Sequence, residues 1–401
     1  MHVRRWKTAA TLATVTTLLA VFATGAQARP ASEASPSAEA AYKVGIVYSR
    51  TGAFAAYGAE YIQGLRYGLA YATKGTMKVN GRAIELTVVD DGTDAVKAVA
   101  AGKDLIGKGY KILAGSVSSA VALQMAPLAE QNKVLFISGP AATDAITGIN
   151  KYTFRSGRQT YQDVKTAATF LKGVGRNVTV FAQDSVFGAG NFSAVNLIVG
   201  GQGHKVGKIL VPGSAQDFTP FAQQVKQANP DLLFVAWAGS NASAMWRALD
   251  QQGAFGVSNK ITTGLAERAT WSTFGDAAAK IDFLSHYVYT APKNKVNDFL
   301  VSSMRKKSQV PDLFTPDGFV AGQMIVQALT GAQGDNVDKM IAALEGWSFV
   351  GPKGQQTVRK SDHAMIQPMF QVKLEKGANG KWQPKVVARI KGQFLTPPEK
   401  T

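Results

Sequence analysis

Short apolar runs that break at glycine or small polar residues, each followed by a stretch with helical spacing, recur along this chain. Residues 43–48, 84–89 and 111–114 read as strands. Between them Tyr57, Tyr61, Leu65 and Leu69 stand at helical spacing within 57–71, and Asp90-Asp91-Gly92 turns into a helix over 93–106. A second series follows residues 152–155: helix 160–171, strand 177–181, helix 190–199, strand 206–210, helix 218–228, strand 232–237 and helix 242–252. Further on, the pattern predicts a strand over 284–290, helices over 317–329 and 337–344, and a closing β-hairpin from 368–374 and 382–390. This alternation predicts an α/β fold of two lobes, each a doubly wound parallel sheet covered by helices on both faces.

Length agrees with two lobes, since 401 residues exceed what one core usually covers and 46% hydrophobic content can fill two. The first 28 residues read as an export signal: Arg4, Arg5 and Lys7 precede an apolar stretch from about Ala9 to Ala23, and Ala26-Gln27-Ala28 fits a cleavage site. A membrane anchor is the competing reading, opposed by the six threonines in and beside the stretch (Thr8, Thr11, Thr14, Thr16, Thr17 and Thr24) and by the lack of a basic stop-transfer flank. Residues 29–41, rich in Ala, Ser, Pro and Glu, read as a flexible leader. The chain has no cysteine, which removes disulfides, thiolate metal sites, cysteine nucleophiles and a lipid-anchoring cysteine behind the signal. Cleavage after Ala28 leaves 41 basic against 27 acidic residues, a net of +14. Such a balance favours anionic surfaces or ligands, although the dispersed lysines and arginines equally fit plain solvation.

Two stretches carry the candidate site, residues 114–127 and 135–143. Each reads as a strand that breaks at small residues and resumes as a helix, a βα turn of the type where ligands of open α/β sheets bind. Exposed backbone N–H groups and the positive end of the helix suit a carboxylate there. The hydroxyls of Ser119 and Thr143 fit helix N-capping equally well.

In order along the chain, Lys43-Val-Gly-Ile-Val47, Thr51-Gly-Ala-Phe-Ala-Ala-Tyr-Gly58, Asp90-Asp91, the turn at 115–119, Gly139-Pro-Ala-Ala-Thr143, Phe187-Gly188 and Val350-Gly-Pro352 resemble the extracytoplasmic solute-binding proteins of ABC importers, in the family of the leucine/isoleucine/valine-binding proteins. The resemblance spans residues 42–390. It implies a type I periplasmic-binding fold, with three hinge crossings near 155–158, 287–291 and 359–362 and a ligand cleft between the lobes. Lobe one would comprise 42–157 and 288–358, lobe two 159–287 and 362–390, followed by a tail over 391–401. A small-molecule ligand, closure about the hinge, a monomer, a membrane permease as partner and no enzymatic activity, cofactor or metal follow from the same resemblance.

Carried over by position, Ser119 and Thr143 would hold a ligand carboxylate, with Ser118 beside them and Ala141 offering backbone contact. Tyr57 and Phe187 would pack on the ligand; ordinary core packing is the competing reading. Amino-acid binders of the family place an acid in lobe two for the ligand ammonium, and here Ala266 falls at that position with Glu267 next to it. Glu267 after a one-residue slip, or more weakly Asp184, would restore an amino-acid ligand. Failing both, an aromatic or other organic acid fits better, with Tyr57 and Trp237 on its ring and Arg158 on an acid group. Arg158 also reads as a solvated hinge residue.

Enzyme signals are thin. Gly102 to Lys108 imitates a phosphate loop but has Gly109 where Ser or Thr is required, His204, His286 and His363 lie far apart, and no Gly-x-Ser-x-Gly elbow occurs. No basic and aromatic cluster suggests nucleic acid. The alternative from another class is an exported sensor or cell-surface module uncoupled from transport.

Overall fold

The structure, a computed structural model, describes residues 40–400. The expected export signal and all but the last two residues of the expected leader lie outside the described residues.

Lobe one is built on a six-stranded sheet, in the order β2-β3-β1-β4-β5-β6, from β1 (Tyr42–Tyr48), β2 (Lys78–Val79), β3 (Arg82–Asp90), β4 (Ile112–Gly115), β5 (Leu135–Ser138) and β6 (Thr153–Arg155). All neighbours are parallel except the short β2, which pairs antiparallel with β3. Helices α1 (Ala55–Ala72), α2 (Ala95–Gly107) and α3 (Ser119–Asn132) connect these strands.

Lobe two carries β7 (Asn177–Gln183), β8 (Lys205–Val211), β9 (Leu232–Ala236), β10 (Lys260–Gly264) and β11 (Ile281–Ser285), with helices α4 (Thr160–Ala168), α5 (Val186–Ile198), α6 (Thr219–Ala228), α7 (Ala242–Gln251) and α8 (Ala254–Val257). Its central strands β7 and β9 are buried on both faces. On β7, Val178, Val180 and Ala182 enter one core and Phe181 the other; on β9, Leu232, Phe234 and Ala236 alternate with Leu233 and Val235 in the same way. That is why these strands read as unbroken apolar runs.

The chain then returns to lobe one with α9 (Lys295–Arg305), α10 (Thr315–Ala332) and α11 (Val337–Leu344), followed by a three-stranded antiparallel sheet of β12 (Ser348–Gly351), β13 (Gly354–Val358) and β14 (Met365–Ile366). Phe349, Val358 and Met365 join the lobe-one core. The expected closing hairpin, β15 (Met369–Lys376) and β16 (Trp382–Ile390), adds antiparallel to β11.

Two expectations are corrected. The strand expected over 284–290 is β11, which ends at Ser285: the Ser285 hydroxyl accepts the Tyr287 N–H (3.2 Å) and donates to the Tyr287 carbonyl (2.8 Å), turning the chain out of the sheet. The third passage between lobes, expected at 359–362, lies at Gln367 and Pro368, because β14 is still paired with β13 and β15 already pairs with β11. The hairpin of β12 and β13, α9 and β10 are weakly patterned in the sequence and went unread.

One seam fixes the geometry of the site. Helices α1 and α10 cross at Gly64, Gly68 and Gly318, where a Cβ would collide with the carbonyls of Thr315, Phe319 and Tyr61 respectively. Without side chains between them the two backbones touch. The start of α1, with Tyr57, is thereby held against the start of α10, with Phe314 and Asp317.

Candidate functional site

Both sheets wind alike. The parallel strands follow β3-β1-β4-β5-β6 in one and β8-β7-β9-β10-β11 in the other, so the winding reverses between β1 and β4 and between β7 and β9. Ligands of such sheets lie beyond the strand ends at that reversal. A cavity of about 100 Å³ lies there, lined from both lobes. This is the same order of size as the roughly 150 Å³ cavity that admits benzene, the scale of a small organic solute.

Lobe one contributes Phe54, Tyr57, Val117 and Ser119, with Pro140 and Ala142 from the turn after β5. The Asp90-Asp91 pair orders this rim: Asp90 Oδ1 accepts the N–H groups of Arg50 (2.9 Å) and Thr51 (3.0 Å), and Asp91 Oδ1 accepts the Ser49 hydroxyl (2.7 Å), fixing the turn that leads into α1. At the neighbouring turn Gly115 has φ +131°, and a Cβ there would collide with the Val47 carbonyl. Ser116 follows in a left-handed conformation (φ +71°), a strain of about 1–3 kcal/mol. Ser118 then caps α3, accepting the Val121 N–H at 3.5 Å. Capping therefore falls to Ser118, and Ser119 faces the cavity from the first turn of α3, where backbone N–H groups lack helical partners. Ser119 Oγ accepts the Thr143 N–H (3.3 Å), which leaves its own proton available to donate.

Lobe two contributes Phe187 and Asn191 of α5, residues 234–238 including Trp237, and residues 263–266. Trp237 is wedged between Phe181, stacked at 5.6 Å, and Phe218, edge-on at 5.4 Å, while its Nε1 donates to Asn241 Oδ1 (2.9 Å). The wall is thus an aromatic slot held in one orientation. Ala266 lines it with φ +61°, a left-handed conformation costly for any residue with a Cβ.

The passages supply charge. Arg158 donates from Nη1 to the Pro140 carbonyl (2.6 Å), places Nε 3.2 Å from Asp163 Oδ2 and lies over the Phe314 ring (5.8 Å). Asp163 Oδ1 is buried without a hydrogen-bond partner. His286, at the second passage, also lines the cavity; burial, then the charges of Arg158 and Lys353, push its pKa well below the ordinary value. Behind it Lys353, at the tip of the hairpin that joins β12 to β13, is fully buried and donates to Asp317 Oδ1 (2.6 Å) and Gln367 Oε1 (2.8 Å), tying α10 to the third passage.

The lobes meet over the cavity. Tyr57 Oη accepts the Gly239 N–H at 3.2 Å, and a Cβ on Gly239 would press on Phe54 Cε1 at 3.1 Å. The two lobes are thus in direct contact beside the cavity.

Of the residues singled out in the sequence, Tyr57, Ser119, Arg158, Phe187 and Trp237 converge on the cavity. Ser118, Ala141, Thr143 and Glu267 do not line it. Thr143 caps a short turn by accepting the Ala145 N–H (3.2 Å), and the Ala141 carbonyl accepts Arg155 Nη2 (2.8 Å). Glu267 lies behind Ala266 in an adjoining recess shared with Tyr57 and Trp237, and its pKa is raised by burial and then by Asp312. Asp184 is likewise absent from the wall. Sequence reasoning missed Phe54, Asp163, His286 and Phe314; Phe54 stood inside a matched motif, whereas the other three carry no local signal.

Two α/β lobes with a cavity lined from both are the architecture of the type I class of solute-binding proteins. The sequence matches the periplasmic binding protein family over residues 41–380, and the chain belongs to that family. It is 23% identical over 389 residues to Leu/Ile/Val-binding protein homolog 6 of Brucella abortus (strain 2308), covering 94% of this chain and 96% of that one. Among solved structures, an ABC-type branched-chain amino acid transporter from Rhodopseudomonas palustris CGA009 is 31% identical with a TM-score of 0.75, over 90% of this chain and 99% of that one. A solute binding protein of an ABC transporter from Rhodopseudomonas palustris HaA2, in complex with p-hydroxybenzoic acid, is 23% identical with a TM-score of 0.80 over 88% and 98%, a likeness of fold. Family and fold are those of non-catalytic solute-binding proteins that serve ABC importers, take a small organic ligand in a hinged cleft and work with a membrane permease.

Proposed function

We propose that this protein captures a small aromatic monocarboxylate outside the cytoplasmic membrane and presents it, closed between its lobes, to an importer. The observation that carries this reading is the division of the cavity wall: Ser119 at the start of α3 on one side, the clamped Trp237 with Phe187 on the other. The Ser119 hydroxyl, the free N–H groups of α3 and the Arg158 guanidinium suit a carboxylate, each hydrogen bond to the charged group contributing roughly 1.5–3 kcal/mol. The Trp237, Phe187 and Tyr57 rings suit a ring. The p-hydroxybenzoic acid held by the relative of the same fold is a ligand of this kind.

An amino acid is the second reading, and one observation favours it. Asp163 Oδ1 is an unbonded buried acceptor in a wall residue, and on this reading it would seat an ammonium in place of Glu267. Against it, Asp163 already shares its charge with Arg158 at 3.2 Å. Thermal melting with benzoate, 4-hydroxybenzoate, L-leucine and L-phenylalanine separates the two. A solute at 100 times its Kd adds about 2.7 kcal/mol, and the expected outcome is that the aromatic acids raise Tm while leucine does not. A response to leucine alone rejects the aromatic-acid reading in favour of the second.

A further inference from the structure

The segment between α9 and α10 belongs to lobe one. Gln63 Nε2 of α1 donates to Gln309 Oε1 (2.6 Å), and the Phe314 N–H donates to Glu60 Oε2 of α1 (2.8 Å). Arg268 belongs to lobe two, just past the end of β10. It reaches across to that segment with four hydrogen bonds. Its backbone N–H and Nε donate to Asp312 Oδ2 (3.1 and 3.3 Å), and its Nη2 donates to the carbonyls of Val310 (3.2 Å) and Pro311 (3.3 Å). The guanidinium also lies 5.4 Å from the centre of the Tyr289 ring, at the second passage. Arg268 does not line the solute cavity.

We propose that Arg268 is the latch of the closed form: it joins the lobes through Asp312 and the carbonyls of Val310 and Pro311, and so sets how tightly the solute is held without touching it. The proposal rests on the reading that the solute is captured by closure of the lobes. On this proposal the guanidinium and the two carbonyls return to water when the lobes part, so that these bonds favour the closed state alone. A group that stabilises only the binding-competent state raises apparent affinity by raising that state's population. The planar fork of arginine reaches a carboxylate and two carbonyls together, which a lysine ammonium does only in part.

The test uses the absence of cysteine in the chain. Val96, on α2 of lobe one, and Ser214, after β8 of lobe two, are both exposed. Spin labels on Val96→Cys and Ser214→Cys report the distance between lobes by double electron–electron resonance, with 4-hydroxybenzoate as the probe. In Arg268→Ala the concentration that half-closes the protein is expected to rise about tenfold, with a matching rise in the dissociation rate. Arg268→Lys is expected to fall between Arg268→Ala and the parent, and Asp312→Asn, which keeps an oxygen and the side-chain shape, is expected to weaken closure in the same direction. Equal half-closing concentrations and dissociation rates in Arg268→Ala and the parent overturn the latch. If the parent does not close on 4-hydroxybenzoate, the solute reading fails separately, and the latch is judged on the ligand-free distances: a loss of the short-distance population in Arg268→Ala supports it, and an unchanged distribution overturns it.

Discussion

The two halves of the cleft share a winding and differ in chemistry. In each lobe the order of parallel strands reverses beside the first strand, and the chain leaves that point through a βα turn. In lobe one the turn after β4 carries Ser116, Ser118 and Ser119 into the start of α3 and offers hydroxyl and backbone donors. In lobe two the corresponding turn after β9 carries Trp237, Ala238 and Gly239, and offers a ring and a glycine small enough to meet Phe54. Both mouths hold a residue with a Cβ in left-handed backbone, Ser116 in one and Ala266 in the other. The same topology thus presents hydroxyl and backbone donors in one lobe and aromatic rings in the other according to the residues at the turn, and the proposed aromatic monocarboxylate would have its charged end at the first and its flat end at the second.

Four substitutions test this division. Lys353→Met strikes the buried charges behind lobe one's rim: Asp317 would be left without its cation, and removing one partner of such a pair costs about 3–5 kcal/mol. Denaturant unfolding is expected to show that loss. A loss below about 1 kcal/mol would mean the pair does not brace α10. Trp237→Ala removes the lobe-two slot, and calorimetry is expected to show about 2 kcal/mol weaker binding of 4-hydroxybenzoate, roughly thirtyfold in Kd. An unchanged Kd would take the ring away from that wall. The smallest effect comes from two neighbouring serines read side by side. Ser119→Ala is expected to weaken the same solute by about 1.5 kcal/mol with little change in ligand-free Tm. Ser118→Ala is expected to cost about 1 kcal/mol of stability as a lost helix cap, with Kd nearly kept. Reversal of that pattern would exchange their roles.

The strands β7 and β9 were readable in the chain because they are buried on both faces. Val178 to Ala182 and Leu232 to Ala236 feed two cores at once, so every position is apolar and the run stands out. Short strands with alternating burial left a weaker signal. The β12 and β13 strands alternate burial with exposure and are short, and β11 stops at Ser285 because a side-chain hydrogen bond turns the chain there. Within the site, Ser119, Tyr57, Phe187 and Trp237 stood at turns or in motifs that a sequence shows. Asp163 sits inside α4, His286 follows a strand end and Phe314 precedes α10. Nothing near them in the chain marks them, since each meets the cavity only after the passages bring the lobes together.

The sequence by itself determined the alternation of strand and helix, the two hydroxyl-bearing turns and the absence of thiol chemistry, because each depends on neighbours a few residues apart. Tertiary structure alone decided that Ser118 caps α3 while Ser119 faces the cavity, that Glu267 stands behind Ala266, and that Arg268 grips residues 310–312. A one-residue difference along a helix start rotates a side chain by about 100°, and whether the new direction meets solute, solvent or the other lobe depends on packing between segments far apart in the chain.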